Sequence, residues 1–161
     1  DGVATVVCKL FNQVRPDMAL FGEKDWQQLA VIRRMAGDLD LTRPHVTAII
    51  GVPTVREADG LAMSSRNAYL SAQQRNDAAA LPRAMKMAIA AMLGGQAVEE
   101  AMAQLRATLI SAGFSSLDYA EVRDPASLSP VSNPQSRPAR LFVAARIGGT
   151  RLIDNMPVSQ D

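Results

Sequence analysis

Near the start of the chain, Val3, Val6, Val7, Leu10, Phe11 and Val14 recur at the spacing of one helical face. Pro16 ends this predicted helix, because the residue before a proline is pushed out of the α region. Residues 17–21 then form a short apolar run leading to Gly22, the pattern of a buried strand. A second helix is expected from Asp25, with Leu29, Ile32, Met35, Ala36 and Leu39 on its inner face. Residues 45–52, β-branched and almost uncharged, read as another buried strand. Strand, helix, strand in this order predicts a parallel βαβ unit with a right-handed crossover. Two strands are few for a parallel sheet, whose faces are normally both covered. Further strands are therefore expected before residue 1.

After Asn67 the pattern changes. Ser71 followed by Gln74 is a capping-box signal. An Ala/Met-rich helix follows, with Leu81, Met85, Ala88, Ile89 and Met92 on one side and Gly94 and Gly95 at its end. Pro82 inside it predicts a kink or a late start. Val98, Met102, Leu105 and Leu109 mark one more amphipathic helix, stopped at Gly113. From Leu117 the period shortens: residues 117–122 alternate, and residues 140–147 and 151–155 flank Gly148, Gly149 and Thr150 as a hairpin. Residues 127–138 are a Pro/Ser-rich loop. The expected organisation is an α/β nucleotide-type domain over residues 1–60 and a small α+β domain over 61–161, with the boundary region at 56–70.

Composition adds mainly exclusions. Of 161 residues, 48% are hydrophobic and 20% charged, and the net charge of +1 offers no field for nucleic acid or membranes. Basic residues are scattered. A single cysteine, Cys8, rules out an internal disulfide, and with a single histidine, His45, it leaves no Cys/His zinc site. Cys8 falls on the apolar stripe and is expected to be a buried small hydrophobe. No apolar run reaches the ~20 residues of a membrane span, and no signal peptide is evident, so a cytoplasmic protein is expected.

Two polar clusters interrupt this pattern. Met63, Ser64, Ser65 and Arg66 place two hydroxyls and a guanidinium together, a poor core but a good cradle for phosphate oxygens. Gly22, Glu23, Lys24 and Asp25 stand where a strand gives way to a helix, the edge at which open α/β sheets bind ligands. There Asp25 is also a candidate N-cap with Gln28 as its capping-box partner, and neither role excludes a ligand role. Ser64 and Ser65 likewise read as starters of the next helix. As a pair, a Lys-bearing turn after one strand and a Ser/Arg loop after the next are expected to clasp one triphosphate. His45 opens a strand at the end away from that edge; Asp17, Glu57 and Asp59 read as turn or surface residues, and no metal ligands are assigned.

These motifs carry a family resemblance. Residues 9–14 (Lys-Leu-Phe-Asn-Gln-Val), 21–29 (Phe-Gly-Glu-Lys-Asp-Trp-Gln-Gln-Leu), 51–56 (Gly-Val-Pro-Thr-Val-Arg), 59–67 (Asp-Gly-Leu-Ala-Met-Ser-Ser-Arg-Asn) and 151–155 (Arg-Leu-Ile-Asp-Asn) resemble the bacterial pantoate–β-alanine ligases. The resemblance implies the last strands of a Rossmann-like ATP- and pantoate-binding domain followed by a C-terminal α+β domain. It implies an ATP- and Mg2+-dependent condensation of pantoate with β-alanine through pantoyl adenylate, in a homodimeric enzyme. Gly22, Glu23, Lys24, Asp25, Val55, Met63, Ser64, Ser65 and Arg66 would then line the ATP site. Val55 would meet the adenine, and Lys24, Ser64 and Arg66 would stabilise charge on the phosphates. Gln28 would bind pantoate. The family's paired histidines have no counterpart here, so these residues alone are expected to be inactive. The alternative reading is a non-catalytic module for ATP binding or subunit contact.

Overall fold

The helical spacing at the start of the chain forms α1 (Gly2–Val14), which stops at Arg15, in the left-handed region at φ 50, before Pro16. The computed structural model describes residues 2–159. Of the expected stripe only Val7 and Phe11 are buried, while Val6, Leu10 and Val14 are exposed. β1 (Ala19–Gly22) and β2 (Ile49–Val52) pair in parallel, and α2 (Trp26–Asp38) connects them. The register explains why neither strand is buried on both sides, as the sequence pattern suggests. Ala19 with Ile49 and Phe21 with Gly51 face α1 and α2, and Leu20 with Ile50 and Gly22 with Val52 face outward. Leu20 is accordingly 61% exposed. Phe11 meets Phe21 edge-on at 6.3 Å.

The second strand also starts later than its composition predicts. Val46–Ala48 form a 3-10 turn, because His45 Nδ1 accepts the Thr47 N–H and offers the backbone a local alternative to the ladder. On α2, Leu29, Ile32 and Ala36 are buried, but Leu39 lies beyond the helix and is exposed.

The chain divides into two units, Asp1–Thr54 and Val55–Asp161. Residues 55–60 thus go with the second unit rather than the first, for a reason seen below in Arg56. That unit contains α3 (Ala72–Ala78), α4 (Ala80–Leu93), α5 (Val98–Ser111), and β3 (Ser116–Arg123), β4 (Arg140–Ile147) and β5 (Thr150–Pro157) in one antiparallel sheet ordered β3-β4-β5. The capping box forms as its residues predict: Ser71 Oγ accepts from Gln74 N, and Gln74 Oε1 accepts from Ser71 N. Pro82 causes a break rather than a bend. α3 ends at Ala78 with Ala79 as its C-cap, and Pro82 falls in the first turn of α4, where a missing N–H loses no helical bond.

Gly148 and Gly149, at φ 54 and 81, make the turn between β4 and β5, in the left-handed region that most residues with a Cβ enter only at a cost. The core joins Leu81, Met85 and Met92 of α4, Leu105 and Leu109 of α5, and Leu141, Val143 and Ile147 of β4. Each such side chain contributes roughly 1.5–3 kcal/mol by leaving water.

Candidate functional site

In the first unit, β1 and β2 run in register to Gly22 and Val52, so both leave the sheet at its carboxyl edge. There Glu23–Asp25 form a single 3-10 turn that leads into α2, whose positive dipole end faces that edge. This turn gathers Gly22, Glu23, Lys24 and Asp25, with Gln28 exposed on the first turn of α2. The expected capping box is absent. Asp25 sits at φ −99, ψ 56 and makes no side-chain cap bond, because the 3-10 turn has already delivered the chain into the helix. Gly22 has ordinary extended angles, and a Cβ there would enter open space, which leaves its backbone open to close approach. Gly51 is different. A Cβ there would lie 2.8 Å from Glu23 Oε1 and 3.0 Å from Leu29 Cδ2, so the Glu23 side chain rests on the backbone of β2. That position was legible only as one more glycine.

In the second unit, residues 55–63 form a tight hairpin. Arg56 bridges Ala62, Glu57 N donates to Leu61 O, Gly60 N donates to Glu57 O, and Met63 N donates to Val55 O at 2.9 Å. Val55 and Met63 thereby stand side by side, 64% and 50% exposed, an apolar pair facing solvent. Ser64 caps the 3-10 turn Ser65–Tyr69, its Oγ accepting from Arg66 N at 3.2 Å, while Ser65 and Arg66 are exposed. Apolar surface and phosphate-type donors are adjacent here. Asn67 Nδ2 donates to Ala62 O, and its Oδ1 is buried with no partner among the described residues.

Two arginine forks hold this hairpin, and neither was assigned a role from the sequence. Arg56 donates to both carboxylate oxygens of Asp154 in β5, at 2.7 and 2.9 Å. Arg75 of α3 donates to both oxygens of Asp59, at 2.6 and 3.2 Å. That hydrogen bond holds the Asp59 carboxyl below its ordinary range, as does the Leu61 N–H it accepts. Asp59 is thus a turn residue with a definite partner. A signal for Asp154 did exist: Thr150, Leu152, Asp154 and Met156 are the inward positions of an alternating strand, and a carboxylate in that series needs a cation.

The remaining candidates stay outside these clusters. His45 is exposed and caps its own turn. Cys8 is only half-buried, against expectation: it lies on the rim of a cavity of about 570 Å3 between α1 and α2 and accepts from Asn12 at 3.5 Å. Asp17 is an exposed partner of Arg43. Among the described residues no three His, Cys, Asp or Glu side chains gather to hold a metal ion, and no helix is long and apolar enough to cross a membrane.

A parallel strand–helix–strand unit and a separate antiparallel three-stranded sheet with helices define an α/β protein. The chain belongs to the pantoate–β-alanine ligase family, whose model matches residues 1–157. It is 68% identical to the pantothenate synthetase of Novosphingobium aromaticivorans and 60% identical to that of Sphingopyxis alaskensis, covering 98% of this chain and 55% of each relative. Its fold matches the crystal structure of pantothenate synthetase from Thermus thermophilus with a TM-score of 0.87 at 45% identity, over 99% of this chain and 56% of that one. A Francisella tularensis ligase, solved with β,γ-ATP and β-alanine, matches at a TM-score of 0.71 and 29% identity, over 99% and 51%. The chain thus spans about half the length of the relatives it matches.

Proposed function

We propose that this chain supplies the ATP-facing part of a ligase that condenses (R)-pantoate with β-alanine. In this reading the pantoate carboxylate attacks the α-phosphate of ATP, giving pantoyl adenylate and releasing pyrophosphate. The β-alanine amine then attacks the acyl carbon, forming the amide of pantothenate and releasing AMP. The observation that carries the reading is the exposed Ser65 and Arg66 beside the exposed Val55–Met63 pair, in a chain of this family. An adenine ring fits against apolar surface, and a guanidinium fork fits phosphate oxygens.

Lys24, Ser64 and Arg66 supply positive charge and donors where phosphoryl charge develops. Ser64 also shapes the turn, since its Oγ already accepts the Arg66 N–H. Gly22, Glu23 and Asp25 form the wall of the ATP site at the sheet edge, and Gln28, in the first turn of α2, meets pantoate. The magnesium ion expected to accompany ATP would be carried on the triphosphate, and no residue of this chain is assigned to hold it. The enzyme is read as a cytoplasmic homodimer. The 161 residues alone are read as inactive, since their one histidine caps a turn.

The test extends the chain to the length of its relatives and follows pyrophosphate and AMP release with pantoate, ATP and β-alanine. Lys24→Ala is expected to slow pyrophosphate release by ~10²–10³, the usual loss for one charge-stabilising donor. An unchanged rate rejects the role of Lys24. Pyrophosphate release with no AMP release on addition of β-alanine points instead to a nucleotidyl transferase. ATP binding with neither pyrophosphate nor AMP release in the extended protein establishes a non-catalytic module.

A further inference from the structure

We propose that Arg56 and Asp154 are positioning residues, a buried fork whose task is to fix the hairpin that presents Val55, Met63 and the Ser64–Ser65–Arg66 turn. The inference rests on the proposed function for its consequence and on geometry for its substance. Asp154 has a fully buried side chain, 0% exposed, on the inward face of β5 between Leu152 and Met156. A leucine there would continue the apolar series, whereas a carboxylate must be stripped of water. Replacing such a pair by apolar side chains is often neutral or stabilising.

The bond pattern shows what the charge does. Arg56 lies 98 residues away in sequence and spends its fork on both Asp154 oxygens. Its Nη1 also donates to Gly60 O at 3.0 Å, across the hairpin, and its Nη2 reaches Asn155 O at 3.5 Å. On the strand side, Asp154 Oδ1 accepts the Asn155 N–H at 2.8 Å, and Arg140 donates to Asn155 Oδ1. One guanidinium therefore ties hairpin to hairpin and hairpin to sheet. At the tip, Asp59 is held by Arg75 of α3. Residues 63–69 are the strip between these two fastenings, and their frame is set from both sides. A bidentate fork fixes direction as well as distance, which a single ammonium does not.

The discriminating variant is the double replacement Arg56→Met with Asp154→Leu in the 161-residue chain, beside Arg56→Lys, which keeps the charge and loses the fork. Thermal unfolding, amide hydrogen exchange and ATP titration followed through the amide signals of Val55, Met63 and Ser65 are read together. The expected result is an unchanged or higher Tm in the double variant. The amides of Glu57, Gly60 and Met63 then exchange ~10-fold faster or more, while those between β4 and β5 keep their protection. The Kd for ATP rises ~10-fold in both variants.

Native exchange at the hairpin amides of a folded variant would overturn the proposal. So would a Tm that falls in step with every other change, since the pair would then act through stability alone. Should the double variant not fold, Arg56→Lys decides by the same two readouts. Should the unaltered chain show no ATP response, the proposed function is what fails, and hydrogen exchange alone decides the fastening.

Discussion

In Asp1–Thr54 the outward residues of both strands, Leu20, Ile50 and Val52, and one flank of α1, Val6, Leu10 and Val14, lie open to solvent. In Val55–Asp161 the antiparallel sheet packs its alternating inward residues against α4 and α5, and β4 is buried along almost its whole length. Both units contain good helix and strand formers, so propensity does not separate them. The number of layers does. An antiparallel sheet needs one covered face, which α4 and α5 supply, and here Phe142 and Ala144 are buried on the other face of β4 as well; a parallel sheet needs two, and α1 and α2 cover one. The first unit thus leaves apolar residues exposed in two places, the open side of β1 and β2 and one flank of α1, in a chain spanning about half the length of its relatives.

The largest test of this contrast replaces one aliphatic residue in each unit. Leu141 is fully buried in β4, and Leu141→Ala is expected to cost ~2–5 kcal/mol, the range for a truncated core leucine. Leu20→Ala, on the open face of β1, is expected to fall within ~0.5 kcal/mol, as surface changes do. Urea unfolding of the 161-residue chain measures both. Comparable losses would mean that the outer face of β1 is covered in solution, and the contrast would break.

Within the first unit, Gly51→Ala asks how tightly even the covered side is packed. The new methyl would meet Glu23 Oε1 and the buried Leu29 Cδ2. Glu23 can swing aside, but Leu29 cannot, so a loss of ~1–3 kcal/mol is expected, the cost of overpacking. In the extended protein the same change should also slow pyrophosphate release, because the displaced Glu23 precedes Lys24. A stable variant with a normal rate would show that the turn at residues 23–25 does not depend on its seat against β2.

These cases show what the chain revealed before its coordinates. Period 3.6 and period 2 placed every long element, and the caps at Ser71 and Gly94 were readable because their chemistry is local. Burial in the first unit was not readable, since Leu20 and Phe21 look alike in a string and only the pairing register assigns their faces. The Lys24 turn and the Ser64 turn stood out as polar interruptions. Arg56 did not stand out, and Asp154 was legible only as a carboxylate in an inward series without a named partner, because their partnership spans nearly the whole second unit. The absent cap at Asp25 has a similar source, since a preceding 3-10 turn leaves no mark in composition.

The smallest expected effect asks whether the cohesion of the second unit extends into its Pro/Ser-rich loop. Asp124 closes the start of that loop. Its Oδ1 accepts the N–H groups of Ser127 and Ala126 and the Ser127 hydroxyl, and its Oδ2 accepts from Arg137. The Ser127 amide first, then Arg137, lower its carboxyl from the ordinary 3.8 to about 2. A depressed carboxyl contributes order that is complete above the unfolded value and lost as pH falls through the folded one. The loop fastening is therefore expected to be intact at pH 5 and to fade between about pH 4 and pH 2.

Hydrogen exchange at Ala126 and Ser127, corrected for the intrinsic pH dependence, should show protection falling over that window while the amides of β4 hold theirs. Asp124→Asn should lower protection at neutral pH and remove its acid step. An acid step shared by the loop and β4 would mean that the second unit opens as one body, and the difference between it and the first unit would then be one of cooperativity as well as of covered faces.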